Sequence, residues 1–160
     1  MKPGLYSDVE GRFQVLLEES ALTRALTLAC ASGQNETGGV LVGRYEDGGA
    51  VAVVEEVTGS PRGSIFSGVT FHRAAGNLRA KLLRRWSSKR HYLGEWHFHP
   101  GHSPDPSGRD TSTMARIAAD KRYSCREPLL LILGQSPAGE PRLSLHVFPL
   151  GEAIAPLRAR

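Results

Sequence analysis

Cysteine is scarce in this chain: there are only two, Cys30 and Cys125. They form no Cys-x-x-Cys pair and no zinc-finger spacing, which excludes a disulfide framework. A single bridge stays open, but reduced core thiols in a cytosolic protein are the expectation. Long apolar runs are missing too. The longest, Leu129 to Leu133, falls far short of the roughly 20 residues that cross a bilayer. Val15-Leu16-Leu17 is followed by Glu18-Glu19, which is not the apolar centre of a signal peptide. No internal repeat or low-complexity segment occurs. These absences predict a soluble cytoplasmic protein with no membrane association.

Aromatic residues interleaved with basic ones, the mark of single-strand nucleic-acid binders, are also absent. The formal charge of +4 and pI of about 9.4 permit an acidic partner without demanding one. Part of the positive charge clusters at Lys81, Arg84, Arg85, Lys89 and Arg90, which reads as a solvated helix face. A nucleic-acid partner is therefore not expected.

What is present suits one domain. A chain of 160 residues suffices for one buried core. Residues 13–150 read as that core and residues 151–160 as a C-terminal tail. Phe13 to Leu17 is a short opening strand. Ser20 is a candidate N-cap for a helix over Ala21 to Ala31, with Leu22, Ala25, Leu26 and Ala29 on one face. Val40 to Val42 is a buried strand, Glu46-Asp47-Gly48-Gly49 a hairpin signal, and Ala50 to Val57 its partner. Pro61 to Ser64 is a loop, Ile65 to Phe71 a strand or irregular, and Arg73 to Trp86 a helix. Tyr92 to His99 is a strand, and Gly101 to Pro106 a proline-rich loop. Ser107 to Lys121 is a helix with Met114, Ile117 and Ala118 inward. Pro128 to Gly134 and Leu143 to Phe148 are strands. Strands that alternate with helices, with hairpins among them, predict an α/β fold with a mixed sheet flanked by helices.

The chemistry concentrates between Gly94 and Asp110. Residues i and i+2 of a strand share a face, so His97 and His99 project together as a natural grip for a metal. Asp110, in the first turn of the next helix, offers a third ligand, and the loop between gives the chain room to turn back. Three protein ligands with a fourth position left for water is the pattern of a catalytic zinc site, which acidifies that water to a pKa of about 7. A general base and an oxyanion donor are then needed. Glu36 is a candidate for the first and Ser107 for the second.

Each residue also has an ordinary reading. Ser107-x-x-Asp110 is a helix-capping pattern, and capping is compatible with a ligand role. The two histidines could be satisfied core residues, and Glu36 a loop acid. Asp105, held between two prolines, is a rival third ligand, and His102 a solvated or substrate-side residue. His72, His91 and His146 have no partner pattern and read as structural.

Taken together, Glu36, His97-Phe98-His99-Pro100, Ser107 and Asp110 resemble the JAMM motif of the JAB/MPN metalloprotease family. Glu36-Thr-Gly-Gly-Val-Leu-Val-Gly and Gly94-Glu95-Trp96-His97 are similar to its bacterial branch, and the resemblance runs from about Ser20 to Phe148. Phe98 departs from the Ser or Thr of many eukaryotic members. The resemblance implies a cytidine-deaminase-like fold with one zinc ion held by His97, His99 and Asp110. It implies hydrolysis of peptide or isopeptide bonds, Glu36 moving the proton and Ser107 bonding the oxyanion. It implies as substrate a ubiquitin-like protein, its precursor or its conjugate, cleaved after the C-terminal tail, with E1-like and E2-like proteins of a defence operon as partners. That tail would be held extended, by strand addition to an exposed edge. Trimming of a small sulfur-carrier protein, or a non-catalytic MPN scaffold, are the alternatives.

Overall fold

A computed structural model describes residues 1–59 and 90–160. In chain order its regular elements are β1 (Gly4–Ser7), β2 (Gln14–Leu17), α1 (Glu19–Ser32), β3 (Thr37–Glu46), β4 (Val51–Val57), β5 (His91–Phe98), α2 (Gly108–Ala119), β6 (Leu129–Gln135), β7 (Pro141–Val147) and β8 (Ala155–Ala159). The expected loop at Pro61 to Ser64, the segment Ile65 to Phe71, the helix over Arg73 to Trp86, His72 and most of the basic cluster lie outside the described residues.

The strands close into a barrel in the order β1-β2-β4-β3-β5-β6-β7-β8. Two pairings, β2 with β4 and β5 with β6, are parallel; the rest are antiparallel. The α/β class and mixed sheet are as the sequence predicts. The closure corrects one expectation: every described strand has two partners, so the barrel offers no whole free edge for strand addition by a substrate tail. The β2 ladder on β4 ends with Leu17 opposite Val54, while β4 continues along β3 as far as Val57 opposite Leu41.

The closing strand corrects a second expectation. Residues 151–160 are not merely a tail: β8 pairs with β1 and β7, and Leu157 is buried in the core. The Arg160 amide also donates to the carbonyl of Leu5 at 2.9 Å. Helix α1 likewise starts earlier than Ser20. Its N-cap is Glu18, with no side-chain cap. Of the two thiols, Cys125 is a core residue as expected, whereas Cys30 is exposed; both are free.

Apolar side chains lie on both faces of the central strands. One face joins α1 (Ala21, Leu22, Ala25, Ala29) to Leu41, Trp96, Leu131 and Leu145. The other joins α2 (Met114, Ile117) to Val40, Val42, Tyr92, Leu130 and Ile132. A 12-residue helix such as α2 is marginal alone. Burial of Met114 and Ile117, about 1.5–3 kcal/mol each, holds it on the sheet.

Two glycines shape the surroundings of the histidines. At Gly94, φ is +151° and a Cβ would lie 2.0 Å from the Leu129 carbonyl oxygen. Here the β3–β5 register slips: Leu41 faces Gly94, but Val42 faces Tyr92, which leaves Leu93 as an extra residue. Gly134 instead receives the loop after His99. A Cβ there would lie 2.6 Å from the His102 oxygen and 2.8 Å from the Pro104 nitrogen. Both are backbone atoms that cannot rotate aside. Gly134→Ala is therefore expected to lower stability by about 1–3 kcal/mol, read as a lowered midpoint in thermal unfolding.

Candidate metal centre

The site is built where β5 ends and α2 begins. His97 is the penultimate residue of β5, opposite Gly38 on β3 and Ile132 on β6. His99 lies just past the strand, yet its amide still donates to the Leu133 carbonyl at 2.8 Å. The ladder thus extends far enough to hold both histidines. The loop that follows is pinned at its middle. The Gln135 amide donates to the His102 carbonyl at 2.7 Å, and the Ser144 hydroxyl donates to the Pro104 carbonyl.

The chain re-enters regular structure at Ser107, the N-cap of α2. The Ser107 hydroxyl accepts from the Asp110 amide at 3.2 Å, and the Asp110 carboxylate accepts from the Ser107 amide at 2.8 Å. This reciprocal box fixes the first turn and turns Asp110 toward β5. A further bond, from the Ser107 hydroxyl to Asp110 Oδ2 at 2.6 Å, engages the hydroxyl that the sequence offers as an oxyanion donor.

Three expected ligands meet here. His97 Nδ1 is 2.8 Å from Asp110 Oδ1, and His99 Nε2 is 3.6 Å from Asp110 Oδ2. One donor atom from each of His97, His99 and Asp110 lies within 4.8 Å of the other two. His97 and Asp110 are buried, at 8% and 7% exposure. Two imidazole nitrogens and a carboxylate are the donor set of a zinc site with an open position. The rival Asp105 is elsewhere: it is exposed and accepts from Ser103 at 2.5 Å. His102 is exposed, and His146 is half-buried with its Nδ1 3.4 Å from the Ser144 hydroxyl.

Glu36 is exposed and directly precedes β3. Because Thr37 faces Phe98 and Gly38 faces His97, its backbone leaves the sheet beside His99. The topology thus brings to one rim two segments that are far apart in sequence.

The electrostatics follow from burial and pairing. Burial disfavours a charged imidazole, but hydrogen bonds to Asp110 and Glu95 outweigh it, and the His97 pKa rises to about 9. Burial likewise opposes a charged Asp110, yet its bonds to His97 and Ser107 hold its pKa well below the usual carboxylate range. The metal-free protein therefore carries a pH signature. The raised His97 pKa contributes stability that is fully present below its ordinary value of 6.5 and is lost as pH climbs through about 9. The lowered Asp110 pKa contributes stability that is present above its ordinary 3.8 and lost at lower pH. Thermal midpoints of chelator-treated protein should fall between pH 6.5 and 9, and His97→Gln should flatten that decline.

One member of the cluster was not among the expected site residues. Glu95, two residues before His97 on β5, is 2% exposed, and its Oε2 lies 3.4 Å from His97 Nε2. The signal in sequence was an acid spaced i, i+2 from a histidine in an otherwise apolar strand. The register slip at Gly94 leaves that alternation in place.

Comparison with known proteins bears on the whole chain. Residues 18–146 match the family described as prokaryotic homologs of the JAB domain. A protein of Enterobacter hormaechei named "CD-NTase/cGAS isopeptidase" is 39% identical over 160 residues, covering 100% of this chain and 88% of that one. A Pseudomonas aeruginosa protein of the same name is 34% identical over 104 residues, covering 63% of this chain and 64% of the relative. A Desulfitobacterium hafniense protein solved in solution has the same fold, with a TM-score of 0.59 at 21% identity over 86% of each chain. Among the described residues no helix is long and apolar enough to cross a membrane.

Proposed function

The chain belongs to the family of prokaryotic homologs of the JAB domain, and on that premise we propose that it is a zinc-dependent isopeptidase. The observation that carries this reading is the convergence of His97, His99 and Asp110 donors within 4.8 Å on the rim where Glu36 leaves β3. His97, His99 and Asp110 would hold one zinc ion, which would supply Lewis-acid activation of water and of the scissile carbonyl. Glu36 takes a proton from the attacking water and delivers it to the leaving amine as the C–N bond breaks. The products are a carboxylate and a free amine, with no covalent enzyme intermediate. Ser107 turns its hydroxyl from Asp110 to the carbonyl oxygen as negative charge develops there.

The substrate is a ubiquitin-like protein joined through its C-terminal tail to an amine, as a precursor or a conjugate. The name of the relatives, CD-NTase/cGAS isopeptidase, supports a CD-NTase as the conjugated protein; the resemblance to the bacterial JAB branch adds E1-like and E2-like proteins as partners that make the bond. Because the described strands are paired on both sides, the tail would lie along a strand end near the site and not along a whole free edge.

A conjugate of a CD-NTase lysine to a ubiquitin-like tail tests this directly. Incubation with the zinc-loaded chain should release both proteins intact, and 1,10-phenanthroline should stop the release. An intact conjugate after prolonged incubation with zinc-loaded protein would refute the proposal.

A further inference from the structure

Glu95 occupies a place where a carboxylate is expensive. Its neighbours across the ladders are Val40 on β3 and Leu130 on β6, both buried and apolar. Its Oε1 has no hydrogen-bond partner among the described residues. A buried carboxylate without compensation costs several kcal/mol, and nothing in the packing of the strand requires one. What the carboxylate does face is His97: Oε2 is 3.4 Å from Nε2, while the other ring nitrogen, Nδ1, is 2.8 Å from Asp110. The imidazole is thus held between two carboxylates, one on each nitrogen.

The backbone sets up this arrangement. Strict alternation from Tyr92 would put Gly94 and Trp96 on the α2 face and Glu95 and His97 on the opposite one. The extra residue Leu93 shifts the phase. Tyr92, Glu95 and His97 then share the α2 face, while Leu93 and Trp96 join the opposite core.

We propose that Glu95 is a positioning residue that accepts the Nε2–H of His97 and so presents the Nδ1 lone pair to the metal between Asp110 and His99. A carboxylate on the far nitrogen of a ligating histidine fixes its tautomer and ring orientation, and its loss typically costs 10–100-fold in metal affinity. At 3.4 Å the contact is a long, weak hydrogen bond. The inference rests on the zinc-centre reading above, but its readouts are metal binding and not cleavage, so an inactive enzyme would leave it fully testable.

The first test is scalar coupling in protein labelled with ¹⁵N-histidine and loaded with ¹¹³Cd. Coupling from the ion to His97 Nδ1, with Nε2 protonated, is expected; coupling to Nε2 would overturn the assignment. The second is zinc affinity by chelator competition. Glu95→Ala should weaken binding about 10–100-fold, and Glu95→Gln, whose amide oxygen still accepts the N–H, should recover much of the loss. Unchanged affinity in folded Glu95→Ala would overturn the proposal. Should Glu95→Ala fail to fold, the coupling pattern of the unaltered protein still decides: coupling to Nδ1 supports the proposal and coupling to Nε2 refutes it.

Discussion

Glu36→Gln is expected to lower the cleavage rate by about 10²–10⁴-fold, the usual worth of a positioned general acid–base group, while zinc content and unfolding midpoint stay at wild-type values. The separation follows from where Glu36 sits. It is exposed, outside the His97–His99–Asp110 cluster, and precedes β3 instead of packing within it. Its side chain therefore has little to contribute to the core. Its position beside His99 suits it to exchange protons with solvent and substrate at the rim. The amide of Gln is nearly isosteric but cannot take up a proton, so the change isolates that function. The measurement pairs turnover with metal analysis on the same sample. Loss of zinc from a folded Glu36→Gln protein would make Glu36 a ligand and contradict the assignment.

Asp110→Ala carries the second large effect, because one carboxylate has two duties. It closes the capping box with Ser107 and pairs with His97 at 2.8 Å. Loss of a cap costs about 0.5–2 kcal/mol, and removal of a buried partner strands His97 beside Glu95 alone, at a further cost of about 1–3 kcal/mol. The expected result is a clear drop in thermal midpoint together with loss of stoichiometric zinc. Asp110→Asn separates the duties. Its amide oxygen can still accept from the Ser107 amide, so most of the helix start survives, whereas a neutral oxygen is a far weaker zinc ligand. Zinc loss is expected for both variants, with a higher midpoint for Asn, which keeps the helix start, than for Ala. Equal midpoints for the two variants would show that the cap contributes nothing measurable.

Much of this arrangement was legible in the residues themselves. The His97-x-His99 spacing in a strand, and Ser107-x-x-Asp110 at a helix start, each follow from local geometry, and the structure places those elements as that geometry requires. The helical faces of α1 and α2 were also readable, since apolar periodicity is a local signal. What was not legible depends on distant pairing. Strand β8 has a single buried residue, Leu157, and begins Ala155-Pro156, so no alternation marks it. It becomes a strand only because β1 and β7 lie on either side. The closed barrel, which removes a whole edge for a substrate tail, depends on that same strand. The exposure of Cys30 depends on how α1 is rotated against the sheet, which its small residues do not specify. The shared face of Tyr92, Glu95 and His97 depends on the register slip at Gly94, visible only once β3 is paired. Local patterns thus named the candidate ligands, whereas the side chains around them needed the fold.

His97, His99 and Asp110 are proposed to hold one metal ion, and metal stoichiometry tests that most directly. Inductively coupled plasma mass spectrometry of protein dialysed at neutral pH should give one zinc per chain. Each of His97→Ala, His99→Ala and Asp110→Ala should fall to near zero while the protein remains folded by circular dichroism. Zinc-free wild-type protein that does not take up added zinc, or full occupancy retained in the folded variants, would contradict the account.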